Sequence, residues 1–199
     1  MYPAITSSPT PPAGVAPTPT QWIQVVLGDI DEFIQDHAEC ERKAMASAMA
    51  LISRFPDKTF LVEPMIAIAK EELHHYHQVY SILKKRGLNL RAAKIDPYAK
   101  ALRKLARHSE WHHFIDRLLI SALIEARSSE RLRIFGDAVE EQGLRKFYQN
   151  LAKIEEAHWQ VFYNISKAYD EAETKTRWET LVLAEAEIMS SIPIAPRVH

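Results

Sequence analysis

Several residue types that would define other kinds of protein are scarce in this chain of 199 residues. It has one cysteine, Cys40, which excludes an intrachain disulfide framework and any metal site built from cysteines. It has no apolar run of the ~18 residues that a membrane-spanning helix needs. Residues 1–20 have neither the charged nor the apolar region of a secretory signal. We therefore expect no membrane partner and a reducing, cytoplasmic setting.

The formal net charge is only −1, so the chain as a whole presents no strong field toward nucleic acid or an anionic membrane. Of its eleven prolines, six lie in residues 1–20, among Ser, Thr and Ala. This composition predicts a disordered proline-rich arm over residues 1–20. The whole chain has five glycines, and its body has no alternating β-branched run of useful length. Residues 21–199 are therefore expected to form a single helical domain.

Apolar periodicity predicts long helices at roughly 22–54, 58–86, 109–139 and 143–168, and a further helix at 171–190. The first helix either runs through Gly28 or restarts after it, with Asp29 or Asp31 as the cap. A longer connection over residues 88–108 contains a short helix from Pro97 to Arg107. This order is typical of two helical hairpins. We predict an all-α fold, an antiparallel four-helix bundle with additional C-terminal and short connecting helices.

Two Glu-x-x-His motifs, in the sequences EELHHY and EEAHW, lie within the second and fourth long helices. Residues three apart on a helix point from the same face, so the carboxylate and imidazole of a motif can bind one ion. In the first motif, Glu72 and His75 share an apolar stripe, whereas the alternative pair, Glu71 and His74, shares a much less apolar one. We therefore predict that Glu72 and His75 face the core.

The other long helices supply matching acidic residues. Glu155 and His158 lie in the middle of an apolar stripe of the fourth helix. On the first helix, Glu41 lies on an apolar stripe and its rival Glu39 on a solvated one, while Glu125 of the third helix has apolar neighbours nearly all round. Ionised acids are rarely buried without a partner or a metal.

The spacing of these residues repeats. Glu41 precedes Glu72 by 31 residues, and Glu125 precedes Glu155 by 30. Four carboxylates and two imidazoles inside a four-helix bundle are the ligand set of the ferritin-like di-iron and di-manganese carboxylate proteins, and oxygen-rich ligands suit iron or manganese. We expect His37, one turn before Glu41, to be a core residue or an outer partner of the site. The predicted ligands are Glu41, Glu72, His75, Glu125, Glu155 and His158.

Charge is distributed unevenly along the chain. Residues 84–107 hold nine basic residues against one acid, Asp96, a net charge of +8 that leaves −9 for the remainder. A basic segment on an otherwise acidic protein is typical of a nucleic-acid-binding surface. A solvated helix face, or a docking site for an acidic electron donor, has the same composition. The candidate nucleic-acid-binding residues are Lys84, Lys85, Arg86, Arg91, Lys94, Lys100, Arg103, Lys104 and Arg107.

The sequences around the predicted ligands resemble a known family. They are DHAECERKA around Glu41, EELHHY around Glu72, EARSSERL around Glu125 and EEAHW around Glu155. These segments resemble the tRNA hydroxylases that act on 2-methylthio-N6-isopentenyladenosine next to the anticodon, and the resemblance covers about residues 22–190.

The resemblance implies a non-haem di-iron monooxygenase whose two Fe ions are bound by the six predicted ligands. It further implies that O2 is the co-substrate, that a terminal methyl of the isopentenyl group is hydroxylated and that tRNA is the partner. Two electrons would come from an external reductase, because the chain has no flavin or nicotinamide fingerprint. The basic segment would then hold tRNA phosphates.

Two other hypotheses fit part of the pattern. A ferroxidase, a rubrerythrin or a manganese catalase has a ferritin-like ligand set of the same kind, although a storage ferroxidase requires a shell of many subunits. A non-enzymatic helical interaction protein would use the basic segment to dock an acidic partner, and it would bind no metal.

Overall fold

The computed structural model describes residues 15–92 and 94–199, in which it has seven helices and no strand. None of these helices is both long and apolar enough to cross a membrane. The all-α prediction is confirmed. The helices are α1 (Gln21–Gly28), α2 (Ile30–Arg54), α3 (Thr59–Lys85), α4 (Pro97–Arg103), α5 (Glu110–Ala138), α6 (Gln142–Tyr169) and α7 (Glu171–Ser191).

Local sequence explains where several helices begin and end. The side chain of Asp29 accepts a hydrogen bond of 3.0 Å from the backbone N–H of Glu32, so α2 restarts after Gly28 as a helix separate from α1. Helix α3 is followed by Gly87, whose φ of +71° is a backbone conformation that glycine adopts without a steric penalty. Pro64 lies inside α3 and does not mark its first turn.

The four long helices form a bundle of two hairpins. Helices α2 and α3 pack together and are joined by a short turn, as are α5 and α6. The longer connection from α3 to α5 contains α4, and α7 packs against α4, α5 and α6. This is the predicted antiparallel four-helix bundle with a connecting and a C-terminal helix.

The core consists of two apolar clusters at opposite ends of the bundle. The cluster nearer the α2–α3 turn includes Leu51, Met65, Phe114 and Phe162. The cluster at the other end includes Phe33, Leu83, Phe135 and Tyr148. Each long helix contributes to both clusters, so a layer of residues in the middle of each helix is enclosed between them.

The chain that precedes α1 packs against α5. Thr18 is buried, and its N–H and hydroxyl donate hydrogen bonds of 2.8 Å to the two carboxylate oxygens of Glu130. The carbonyl of Ala16 accepts a hydrogen bond of 2.8 Å from Arg127. Of the disordered arm predicted over residues 1–20, residues 1–14 lie outside the described residues. Within residues 15–20, Ala16 and Thr18 are bound by polar groups of α5.

Candidate metal centre

The two Glu-x-x-His motifs face the layer between the apolar clusters, one from α3 and one from α6. The alternative pair of the first motif, Glu71 and His74, is exposed, whereas Glu72 and His75 are buried. On α2, the rival residue Glu39 forms an ion pair with Arg42 near the surface. Six buried residues occupy the layer, and they are the six predicted ligands: Glu41, Glu72, His75, Glu125, Glu155 and His158.

Each motif histidine lies beside the glutamate of the other motif. The Nδ1 atom of His75 is 3.0 Å from Oε1 of Glu155 and 3.5 Å from Oε2 of Glu41. The Nδ1 atom of His158 is 2.8 Å from Oε1 of Glu72 and 3.1 Å from Oε2 of Glu155. The two motifs therefore meet across the bundle.

The six side chains form two groups, in each of which four potential ligand atoms lie within 4.8 Å of one another. The first group is Glu41, Glu72, His75 and Glu155. The second group is Glu72, Glu125, Glu155 and His158. Because Glu72 and Glu155 belong to both groups, they are placed to contact two ions at once. This buried cluster is compatible with a di-metal site.

Unsatisfied polar atoms show that the cluster suits cations. Among the described residues, Oε1 of Glu72, Nδ1 of His75 and Oε1 of Glu155 have no hydrogen-bond partner. Nδ1 of His75 and Oε1 of Glu155 lie 3.0 Å apart, but their relative orientation is not that of a hydrogen bond. A buried polar atom without a partner costs about 1–3 kcal/mol, and coordination of a cation would satisfy all three. Carboxylates and imidazoles are donors that suit iron or manganese.

Burial and mutual repulsion shift the protonation of this layer. Burial, together with the charges of Glu155 and Glu41, raises the pKa of Glu72 to about 8. Burial is also the main reason why the pKa values of Glu41 and Glu125 are raised. Burial alone would lower the pKa of His75, but attraction to the surrounding carboxylates, Glu155 above all, outweighs burial and raises that pKa to about 12. Without metal ions, protons on these groups therefore offset the negative charge.

Two residues outside the set of six orient its members. The Nε2 atom of His37 lies 2.5 Å from Oε1 of Glu41, and its Nδ1 atom lies 3.1 Å from the hydroxyl of Tyr148. The carboxylate of Glu71 lies 2.7 Å from Nε2 of His158. Such outer hydrogen bonds fix the orientation of metal ligands. Sequence reasoning missed Glu71, because no local signal shows that an exposed residue of α3 reaches across to α6.

A cavity leads from the buried layer to the surface between α2 and α5. The layer's carboxylates line its inner part, and Lys43, Arg103 and Arg117 line its outer part. His199 also lines the cavity, where its imidazole lies 3.1 Å from the carboxylate of Asp96. The apolar clusters close both ends of the layer, whereas this cavity reaches from its carboxylates to charged residues nearer the surface.

The predicted basic segment divides into residues with and without carboxylate partners. Four of its nine basic residues form ion pairs: Arg86, Arg91, Lys94 and Arg107. Five form no ion pair with any carboxylate of the described residues, 15–92 and 94–199. These are Lys84, Lys85, Lys100, Arg103 and Lys104. Lys100, Arg103 and Lys104 line an open groove on α4 that adjoins the mouth of the cavity. Within the basic segment, the free positive charge nearest the cavity therefore lies at α4.

Comparison with known proteins identifies similar sequences and a similar structure. A family profile described as tRNA-(MS[2]IO[6]A)-hydroxylase (MiaE) matches residues 13–199. A Pseudomonas putida protein named tRNA 2-(methylsulfanyl)-N(6)-isopentenyladenosine(37) hydroxylase is 36% identical over 184 residues, which are 92% of this chain and 89% of that protein. A Salmonella typhimurium protein of the same name is 28% identical over 172 residues, 86% of this chain and 62% of the relative.

Among solved structures, one is titled Protein 43 with aldehyde deformylating oxygenase activity from Synechococcus. It matches with a TM-score of 0.88 and 31% identity, over 92% of this chain and 94% of that one. The likeness confirms the predicted ferritin-like bundle, and it extends over most of both chains.

Proposed function

Because the chain belongs to the tRNA-(MS[2]IO[6]A)-hydroxylase (MiaE) family, we propose that it hydroxylates the isopentenyl group of 2-methylthio-N6-isopentenyladenosine next to the anticodon of tRNA. It is then an O2-dependent oxidoreductase with a tRNA substrate, and it works in the cytoplasm. The observation that carries the proposal is a buried layer of four carboxylates and two imidazoles that opens through a cavity onto a basic surface.

Two iron ions would be held by the six residues of the layer, with Glu72 and Glu155 contacting both. The chemistry that such a pair supplies when bound is the reduction of O2 coupled to oxidation of a C–H bond. One oxygen atom enters the product as hydroxyl, and the other leaves as water with two protons and two electrons from an external reductase.

The residues of this chain would prepare the site for that reaction. Four carboxylates neutralise the charge of two divalent ions, which leaves a buried centre with little net charge. His37 and Glu71 hold Glu41 and His158 in orientation through hydrogen bonds. The apolar clusters on both sides exclude water from the layer, which protects a reactive oxidant from side reactions.

The surface around the cavity mouth would bind the tRNA. Lys100, Arg103 and Lys104 have no carboxylate partner among the described residues, so their charges remain available to phosphates. Arg107, by contrast, lies 2.7 Å from the buried carboxylate of Asp116 and fixes the connection between α4 and α5 to α5. With phosphates held on α4, the modified base would have to leave the anticodon stack to place its isopentenyl group in the cavity.

The name of the similar solved structure raises a second candidate, an oxygenase that acts on an aldehyde. Its fold and much of its length match this chain, so the ferritin-like scaffold is common to both activities. The basic groove at the cavity mouth favours a polyanionic substrate over an uncharged aldehyde. The family match likewise does not favour a storage, peroxide-consuming or non-enzymatic role.

The proposal is tested with the full chain loaded with Fe(II) under anaerobic conditions. The protein is mixed with tRNA that carries 2-methylthio-N6-isopentenyladenosine, a chemical reductant and O2, and the digested nucleosides are analysed by mass spectrometry. We expect a product that is heavier by one oxygen atom, and 18O2 should supply that atom. A parallel reaction contains an aldehyde in place of tRNA.

Glu125→Ala should abolish product formation because it removes a residue of the layer, whereas Glu39→Ala on the outer face of α2 should not. Turnover of the aldehyde without turnover of tRNA would replace the proposal by the second candidate. Full activity of Glu125→Ala would show that the layer is not the catalytic centre.

A further inference from the structure

Two arginines lie together at the outer end of the cavity. Arg117 of α5 is partly buried and lines the cavity together with Arg103 of α4. Burial, followed by the charge of Arg103, lowers the pKa of the Arg117 guanidinium. Helices α4 and α5 therefore bring like charges together at one place.

No carboxylate of the described residues neutralises this pair. Within that part of the chain neither arginine takes part in an ion pair, and the hydroxyl of Ser47 lies 3.4 Å from Arg103. The neighbouring acidic residue Asp116 is fully buried and instead binds Arg107 and Arg177. Within the described residues, Asp116 thus neutralises Arg107 and Arg177, while Arg103 and Arg117 at the cavity have no carboxylate partner.

Mutual repulsion and burial both act against such a pair, and neither is relieved within the described part of the protein. Solvated arginines on a helix surface spread apart, whereas these converge on a cavity that ends at the candidate metal centre. Guanidinium groups form paired hydrogen bonds with phosphate oxygens. An anion at this place would relieve the repulsion.

The separation from the buried layer suits a nucleotide. Arg117, Ser121 and Glu125 line the cavity from one side of α5, at intervals of four residues. Arg117 is therefore two turns of helix, ~12 Å, from a predicted metal ligand. If the isopentenyl group enters the cavity toward Glu125, the adenosine that carries it would lie at the outer end, with its sugar and phosphate toward Arg117.

We propose that Arg117 and Arg103 form an anion site that binds a phosphate directly attached to the modified nucleoside. The site makes the chain select a nucleotide over the free nucleoside, and it adds Arg117 to the groups that recognise the substrate. This inference rests on the proposed function for the identity of the nucleoside, but the anion site itself does not require it.

The test compares the affinities of the full chain for 2-methylthio-N6-isopentenyladenosine and for its 5′- and 3′-monophosphates, by calorimetry without O2. We expect at least one monophosphate to bind roughly tenfold or more tightly than the nucleoside, which is the size of effect that a hydrogen bond to a charged group produces. Arg117→Gln should remove this preference. Arg133→Gln, which removes the same charge from another part of α5, should retain it.

Equal affinities for the nucleoside and both monophosphates in the unaltered chain would overturn the proposal, as would a preference that survives in Arg117→Gln. If Arg117→Gln does not fold, Arg103→Gln, which changes an exposed residue, replaces it with the same expectations.

Inorganic phosphate tests the anion site without the nucleoside. It should raise the melting temperature of the unaltered chain more than that of Arg117→Gln. Equal increases in melting temperature in the two proteins would overturn the anion site, whatever the outcome with tRNA. If phosphate raises the melting temperature of the unaltered chain more but tRNA is not hydroxylated, the anion site is supported and the proposed function is refuted.

Discussion

Glu72 of α3 and Glu155 of α6 occupy the same position in the two Glu-x-x-His motifs, and each lies within 3.0 Å of the histidine of the opposite motif. They are also the two carboxylates shared by both groups of potential metal ligands. This reciprocity makes the site a single unit, because neither group can be completed by one hairpin of the bundle alone.

The shared and unshared ligands should differ in their effect on metal content. We expect Glu72→Ala and Glu155→Ala to lose both ions, because each removes a donor from both groups. Glu125 belongs to one group, so Glu125→Ala should retain about one ion per chain under the same loading conditions. Metal content after anaerobic Fe(II) loading and desalting measures the difference. Glu39→Ala should load like the unaltered chain, and one retained ion in Glu72→Ala would contradict the assignment of Glu72 to both groups.

The stability of the metal-free chain should fall as pH rises from about 5.5 to 8. The pKa of Glu72 is raised to about 8, so the folded state keeps a proton that the unfolded state loses above its ordinary pKa of 4.5. The pKa of His75 is raised to about 12, so its contribution is complete below 6.5 and declines above that pH. Both raised pKa values lower the stability of the folded state as pH rises from about 5.5 to 8. Melting temperatures measured across it give the slope.

Metal binding should reverse that trend and release protons, because the ligands bind metal in their deprotonated forms. Titrations with Fe(II) or Mn(II) in buffers of different ionisation enthalpy count the protons released. The melting-temperature gain from metal should be greater at pH 7.5 than at pH 5.5. A gain that is greater at the lower pH would contradict the protonation of the layer described above.

Glu71 should act as a positioning residue for His158. Its carboxylate, which is itself half-exposed, lies 2.7 Å from Nε2, so the opposite nitrogen, Nδ1, is directed toward the layer. We expect Glu71→Gln to lower metal affinity roughly 10- to 100-fold, the usual effect of losing an outer hydrogen bond to a ligand. The control is Glu63→Gln, another exposed glutamate of α3. Unchanged affinity in Glu71→Gln would show that packing alone orients His158.

Charge reversal on α4 should weaken tRNA binding without unfolding the bundle. Lys100 and Lys104 are exposed and form no ion pair among the described residues, so Lys100→Glu and Lys104→Glu remove phosphate contacts only. The slope of log affinity against log salt should flatten by about 1 for each lost contact. Filter binding of tRNA at several salt concentrations measures it. Lys153→Glu, an exposed lysine of α6, should leave the slope unchanged, and an unaltered slope in the α4 variants would remove α4 from the tRNA surface.

The sequence by itself determined the helical architecture and the membership of the buried layer. Both depend on local periodicity, because an apolar stripe decides which face of a helix turns inward before any partner helix is known. That is why Glu72 could be separated from Glu71, and Glu41 from Glu39. The matched spacings of about thirty residues also indicated that the two hairpins repeat one pattern of ligands. Ligation of metal by the six residues stays a prediction, while their convergence is a property of the fold.

Only the tertiary structure decided which charges remain available. Arg107 and Lys104 look equivalent in the basic segment, yet Arg107 is bound to a buried aspartate of α5 and Lys104 is not. The same holds for Arg117, whose place in the cavity depends on α2 and α4, and for Glu71, which reaches a histidine 87 residues away in sequence. A side chain several bonds long can find partners on any neighbouring helix. Its role is therefore set by contacts between distant segments, which local periodicity does not encode.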